Sequence, residues 1–178
     1  FTYLEKKRPY IILKWAQTAD QKMTGNHTER LHISNDLSNR LVHKWRSEEA
    51  AIMVGKNTAV KDNPSLSNRL WSGKNPVRIV IDKNLELPSD LNVFKQEAKT
   101  MIFNFHKEEI KNNLHFIKIS AGENLLRQVM QKCFEHDIQS ILVEGGAQLH
   151  RSFIDAHLWD ECRIITNEAL VIAEGLAA

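Results

Sequence analysis

The run Ile141-Leu142-Val143-Glu144-Gly145-Gly146 sets one carboxylate directly after a short apolar stretch and two glycines directly after the carboxylate. An apolar run of this kind reads as a buried parallel strand that delivers a charge to the carboxyl edge of a sheet. The glycines let a ligand approach the backbone where a helix then begins. Ligands of open α/β sheets bind at that edge, beside helix N-termini whose unpaired N–H groups favour phosphate. Other apolar runs bring further groups to the same edge. The first carries Lys14 and then Ala16; the second ends at Gly55 and is followed by Thr58 and Asp62. Arg46 closes the first long helix, and Arg69 follows the turn Asp62-Asn63-Pro64-Ser65. A cation, two carboxylates, a hydroxyl and two arginines around one cleft suit a small phosphorylated substrate beside a dinucleotide, because the planar arginine fork matches phosphate. Taken singly, each has a plainer reading. Lys14 can snorkel from an edge strand, the arginines can form surface ion pairs, and Asp62 can be an Asx-turn residue.

The elements that must hold these residues alternate along the chain. Strands are expected at Tyr10–Trp15, Ala51–Gly55, Val77–Ile81, Met101–Phe103, Phe116–Ile119, Ile141–Val143 and Arg163–Ile165, from their β-branched and apolar content. Ser34-Asn35-Asp36 offers capping oxygens, and Leu37, Leu41, Val42 and Trp45 then recur at helical spacing as one buried stripe. Leu125, Leu126, Val129, Met130, Cys133 and Phe134 repeat the pattern, as do Leu149, Phe153 and Ile154. Strands alternating with helices argue for an α/β fold with a mostly parallel sheet. The stripes read as core, not as partner-binding faces. Thr24–Leu31, Asp62–Ser65 and Asn68–Pro76 read as irregular.

The bulk properties fit one domain over residues 1–178, and this domain reads as a piece of something longer. Apolar residues make up 42% and charged residues 26%, ordinary for a globular protein. A net charge of +2, with scattered basic residues, gives no case for nucleic acid or a membrane surface. No run is long enough to span a bilayer and no signal peptide is visible, so a cytoplasmic setting is expected. Cys133 and Cys162 both read as free buried thiols. The eight histidines show no H-x-x-x-H pairing and the cysteines no C-x-x-C, so no metal site is expected. His27 and His32 share only a loop. A G-x-S-x-G elbow is absent, and the four tryptophans form no stacking platform with basic residues.

An ordered set of motifs resembles a known family. The stretches are Arg8-Pro9-Tyr10-Ile11-Ile12-Leu13-Lys14-Trp15-Ala16-Gln17, Ala19-Asp20-Gln21-Lys22, Ile33-Ser34, Val54-Gly55-Lys56-Asn57-Thr58, Asp62-Asn63-Pro64-Ser65-Leu66 with Arg69, Pro76–Asp82, and Val143–Gly146 with Ser152-Phe153. From about residue 8 to 166 the chain resembles the reductase domain of the bifunctional riboflavin-biosynthesis deaminase/reductase. The resemblance implies a dihydrofolate-reductase-like, three-layer fold, with a mixed, mostly parallel sheet flanked by helices, and a homodimer. It implies NADPH-dependent reduction of the ribosyl group of 5-amino-6-(5-phosphoribosylamino)uracil to the ribityl form, and a deaminase domain in the parent chain. By resemblance, Lys14, Arg46, Leu66, Arg69 and Glu144 contact substrate. Ala16, Thr58, Asp62, Gly146, Ala147, Gln148 and Leu149 contact cofactor. Ser34 lies near both ligands and Asp62 reaches the substrate side as well. Lys14 and Glu144 carry the chemistry, and the two arginines anchor the 5′-phosphate.

The chain departs from the family pattern in places. Asp20-Gln21-Lys22 replaces Asp-Gly-Lys. Arg30 stands where the family has a substrate-side serine, and His32 where a tryptophan faces the cofactor, so only His32 is kept as a cofactor contact. The zinc deaminase signature is missing. Two other readings stay open: a dihydrofolate or pteridine reductase on the same fold, and a non-catalytic nucleotide-binding or regulatory domain. Lys56 and His106 are candidates for a cofactor 2′-phosphate.

Overall fold

The computed structural model describes residues 1–24, 33–95, 97–122 and 124–177. Arg30, His27 and His32, with nearly all of the expected Thr24–Leu31 loop, lie outside the described residues. The chain runs α1 (Thr2–Lys6), β1 (Tyr10–Thr18), β2 (Lys22–Thr24), α2 (Asp36–Glu48), β3 (Ala51–Gly55), α3 (Lys56–Asp62) and β4 (Val77–Ile81). It continues through β5 (Thr100–Asn104), β6 (Glu109–Lys111), β7 (Leu114–Lys118), α4 (Leu125–Glu135), β8 (Ser140–Val143), α5 (Ala147–Asp155), β9 (Glu161–Asn167) and β10 (Leu176–Ala177). All seven expected strands are present, with β1 and β9 longer than their apolar runs. The short β2, β6 and β10 carry no such run.

Eight strands form one sheet in the order β6-β7-β5-β4-β3-β8-β1-β9, parallel except where β6 meets β7. β2 and β10 pair separately and antiparallel. The expected mostly parallel α/β fold is therefore what the chain adopts. Its inner strands are apolar on both faces, since helices cover both. Odd-numbered residues such as Leu13, Met53, Ile79 and Val143 pack with Val129 and Met130 of α4 and Phe153 of α5. Even-numbered Ile52, Val54, Val80 and Ile102 pack on the other face, with Ala59 of α3 and Leu66. The Asn35 side chain caps α2 by accepting from the Ser38 N–H, while Ser38 accepts in return from the Asn35 N–H.

Three sequence expectations are corrected. The α2 stripe is not one buried face: Val42 and His43 are buried, Trp45 is half-buried, and Leu37 and Leu41 are exposed. The last two lie along an open groove with Ile33, Ile165 and Ala169, because the first turns of α2 overhang the edge of the sheet. Likewise Ile154 of α5 is exposed. Cys133 is buried, which pushes its thiol pKa far up, but Cys162 is exposed. β9 is the last strand of the sheet, and every second residue along it faces outward.

Asp160, in the turn before β9, ties that edge to β1. It receives two hydrogen bonds from Arg8, at 2.6 and 2.9 Å, and one from the Ile11 N–H at 2.9 Å. Burial pushes its carboxyl pKa up, but Arg8 and the Ile11 N–H outweigh burial and hold it below the usual value. Asp160→Ala strands the buried Arg8 cation and lowers unfolding stability by about 3 kcal/mol in urea titration at neutral pH. A lowered carboxylate pKa stabilises above its unfolded value and ceases to do so as pH falls. The difference between wild type and variant therefore shrinks in acid.

Candidate active site

The carboxyl ends of β1, β3, β4 and β8 open onto one cleft of about 850 Å³. β3 and β8 are neighbours, yet the chain leaves β3 into α3 on one face and leaves β8 into α5 on the other. This divergence makes the crevice in which open α/β sheets bind ligands. At its base Gly145 lets the start of α5 pack closely against the end of β3. A Cβ there would lie 2.6 Å from Leu149 Cδ2 and 3.1 Å from the Gly55 nitrogen. α5 starts on Gly146 without a side-chain cap, so its first N–H groups, at the cleft wall, are available to an anion. The Gly146 N–H donates to Thr58 Oγ1 at 3.0 Å, which links the starts of α3 and α5.

Sheet register brings the two charged residues together. Leu13 pairs with Val143, so Lys14 and Glu144 are the next lateral neighbours and share the face of Ile12 and Leu142. The Glu144 N–H still donates to the Met53 carbonyl at 2.9 Å, which keeps the residue in strand geometry. α2 crosses this face and supplies Arg46. Its Nε and Nη2 donate to the two Glu144 oxygens, each at 2.8 Å, and its Nη1 donates to the Ser67 carbonyl at 3.1 Å. Lys14 Nζ stands farther off, 3.9 Å from Glu144 Oε2. All three side chains are nearly buried.

The charge states follow from that geometry. Burial pushes the Glu144 pKa up, but Arg46 and then Lys14 outweigh it and hold the carboxyl below its usual range. Burial pushes the Lys14 pKa down; Glu144 opposes this and Arg46 reinforces it, and the net shift is downward. An acid already claimed by arginine leaves its second cation undercompensated. Lys14 is thus an amine primed to give up a proton, and among the described residues its hydrogens have no close partner. Beyond the pair, His150 Nε2 lies 3.0 Å from the Val143 carbonyl, and its ring sits 5.7 Å from that of Trp15.

Twelve residues expected in the site line the cleft: Lys14, Ala16, Ser34, Arg46, Thr58, Asp62, Leu66, Glu144, Gly146, Ala147, Gln148 and Leu149. Arg69 does not; its side chain is exposed, three residues beyond Leu66. His106 is also exposed and away from the lining. Arg46 lies where expected, but its guanidinium is spent on Glu144 and Ser67 and is not held open for a phosphate. Sequence reasoning missed Lys61, Lys83 and His150 in the lining, and His43 behind Arg46. Lys83 sits just past the end of β4, so the strand-end logic used for β1, β3 and β8 finds it too. Lys56 pairs with Glu86, whereas Lys61 and Lys83 have no carboxylate partner among the described residues. Also among the described residues, no cluster of His, Cys, Asp or Glu has the form of a metal site, and no helix is long and apolar enough to cross a membrane.

Comparison with known proteins agrees with the architecture. The family model of the RibD C-terminal domain matches residues 9–171. The chain is 34% identical to a riboflavin biosynthesis protein RibD of Aquifex aeolicus, over 99% of this chain and 51% of that protein. It is 31% identical to a 2,5-diamino-6-ribosylamino-4(3H)-pyrimidinone 5′-phosphate reductase of the same organism, over 96% of this chain and 81% of that one. A Thermotoga maritima deaminase/5-amino-6-(5-phosphoribosylamino)uracil reductase superposes with a TM-score of 0.83 at 31% identity, covering 99% of this chain and 49% of its own. The chain thus spans about half the length of the RibD relatives it matches. The Rib7 reductase of Saccharomyces cerevisiae shares the fold, with a TM-score of 0.74 at 19% identity. By sequence and by structure, the chain belongs to the RibD C-terminal domain family.

Proposed function

We propose that this chain reduces the ribosyl group of 5-amino-6-(5-phosphoribosylamino)uracil to the ribityl form with NADPH, as the reductase part of a longer deaminase/reductase. The observation that carries the reading is the convergence of Lys14, Glu144 and Arg46, from three separate elements, beside the glycine-opened start of α5. Reductases of this family imply a nicotinamide cofactor, and this cleft fits one. The uncapped N–H groups of α5 suit a pyrophosphate. Lys61 and Lys83 favour the phosphorylated cofactor over NADH, because they put uncompensated cations in the cleft wall on the β4 side.

When bound, the reduced nicotinamide supplies a hydride to C1′ of the sugar. The protein's own groups prepare that carbon. Lys14 gives a proton to the furanose ring oxygen as the C1′–O bond breaks. The lone pair of the attached nitrogen forms the C1′=N bond, leaving a cationic iminium. Glu144 holds that cation in place, and its ionised state is secured by Arg46. Arrival of the hydride at C1′ returns the pair to nitrogen, and Lys14 recovers its proton from water. Arg69, exposed just outside the cleft lining and without a carboxylate partner among the described residues, meets the 5′-phosphate at the cleft mouth. Orientation and charge placement are the protein's share of the work.

We also propose a homodimer built on the outer side of β9. Exposed Ile164 stands on one face of β9, and exposed Leu37 and Leu41 of α2 lie along the groove on its other face, so apolar surface flanks a strand that has no partner on its outer side among the described residues, a combination that single chains avoid.

The primary test mixes protein, NADPH and the phosphoribosylamino-pyrimidine and follows the absorbance of the reduced cofactor. Oxidation only in the presence of that substrate is expected, and binding without oxidation would favour a regulatory domain. Lys14→Met lowers kcat by roughly 10²–10⁴ while NADPH affinity stays within about twofold; retained turnover would remove Lys14 from the chemistry. Because Lys14 acts in its protonated form and its pKa is lowered, kcat falls on the alkaline side below the ordinary lysine range. In sedimentation, wild type runs at twice the 20.5 kDa of one chain and Ile164→Lys at the single-chain mass.

A further inference from the structure

His43 is buried within α2, one turn before Arg46, and lies outside the cleft lining. Its Nδ1 accepts the Arg69 N–H at 3.0 Å and, more weakly, the Leu70 N–H at 3.4 Å. An imidazole nitrogen that accepts must carry its lone pair, so the ring is neutral with its proton on Nε2. The groups facing it are Arg46 from its own helix, Arg69 and Asn68 from the loop, and Glu144 from the end of β8. Burial, then Arg46, then Arg69 push its pKa down to about 4, which keeps the acceptor available through the neutral range.

This contact is one half of a latch. The other half is the Arg46 Nη1 donation to the Ser67 carbonyl at 3.1 Å. Together they pin residues 67–70 to α2, directly after Leu66. Leu66 lines the cleft, is 2% exposed, and sits at φ 49°, in the left-handed region that a branched side chain adopts only under restraint. A leucine or phenylalanine at position 43 would fill the volume. Only an acceptor on the near side of the ring also holds the following peptide.

We infer that His43 is a positioning residue: through Arg69 and Leu70 it fixes the segment that presents Leu66 and Arg69, and so sets affinity for the phosphorylated substrate. The inference rests on the functional reading above, in which Arg69 meets the substrate phosphate. Asparagine places an amide oxygen near the position of Nδ1, whereas glutamine carries it out toward Nε2. His43→Leu and His43→Gln are expected to raise KM for the phosphoribosylamino-pyrimidine about tenfold, as loss of one such hydrogen bond would. Their kcat and KM for NADPH stay within about twofold. His43→Asn restores the wild-type KM.

Hydrogen exchange at the Arg69 and Leu70 amides reads the latch without turnover. Protection is lost in His43→Leu and His43→Gln and kept in His43→Asn. An unchanged substrate KM with protection lost would overturn the inference, as would His43→Asn behaving like His43→Leu. Calorimetric titration of substrate into cofactor-free protein separates the two levels of argument. Wild type that binds substrate but does not oxidise NADPH defeats the functional reading and leaves the His43 comparison to be decided by binding. Wild type that does not bind the substrate defeats both. If His43→Leu does not fold, the Asn and Gln pair alone decides the matter.

Discussion

Glu144 lies at the end of an inner strand, nearly out of water, and a carboxylate there stays ionised only if a cation shares its burial. Arg46 meets that need with a two-pronged fork, each prong at 2.8 Å. The rest of the cleft follows from this one pairing. Because the acid is already neutralised, Lys14 at 3.9 Å is a second positive charge in a space that has compensated the first. Burial, and after it Arg46, lower its pKa against the pull of Glu144. The third arginine nitrogen, on the Ser67 carbonyl, carries the same restraint into the loop that presents Leu66. One ion pair therefore sets a charge state and a loop position, and adds to the burial that makes the amine more acidic.

The division of labour across the sheet is geometric. Strand spacing of about 4.8 Å separates the Lys14–Glu144 end from the Lys83 end by a few strand widths, with the glycine-lined starts of α3 and α5 between them. A long ligand laid along the carboxyl edge meets cations at one end, backbone N–H groups in the middle and the acid–amine pair at the other. The same edge is shielded below by two apolar layers that differ in parity, odd-numbered residues toward α4 and α5 and even-numbered ones toward α3. The functional charges lie on the even face because the register puts them there.

Much of this was legible in the chain itself. The inner strands are unbroken apolar runs, which is what burial on both faces requires. Glu144, Gly145 and Gly146 stand at the end of one of them. What escaped was whatever depends on a neighbour the local pattern does not name. Cys162 has the apolar context of a core residue, and only the strand order shows that β9 ends the sheet. Leu37 and Leu41 repeat at helical spacing with Val42, but α2 overhangs the edge and leaves them uncovered. Three-residue strands such as β2 and β6 are held by pairing, not by composition. Arg46 carries the right chemistry for a phosphate, and the nearer carboxylate claims it. His43 offered no motif, since its role is to accept two backbone N–H groups far along the chain.

The lateral pairing of Leu13 with Val143 has one more consequence. Side chains alternate along a strand, so a slip of one residue turns each of them to the opposite side. Deleting a single position inside β8 would send Glu144 into the layer occupied by Phe153 and bring a hydrocarbon to face Arg46. A change of length is thus tolerated only in surface connections such as the exposed stretch around Gly73. The segment from Ser140 to Glu144 has to keep its count, because there the hydrocarbon core and the chemistry are read in one frame.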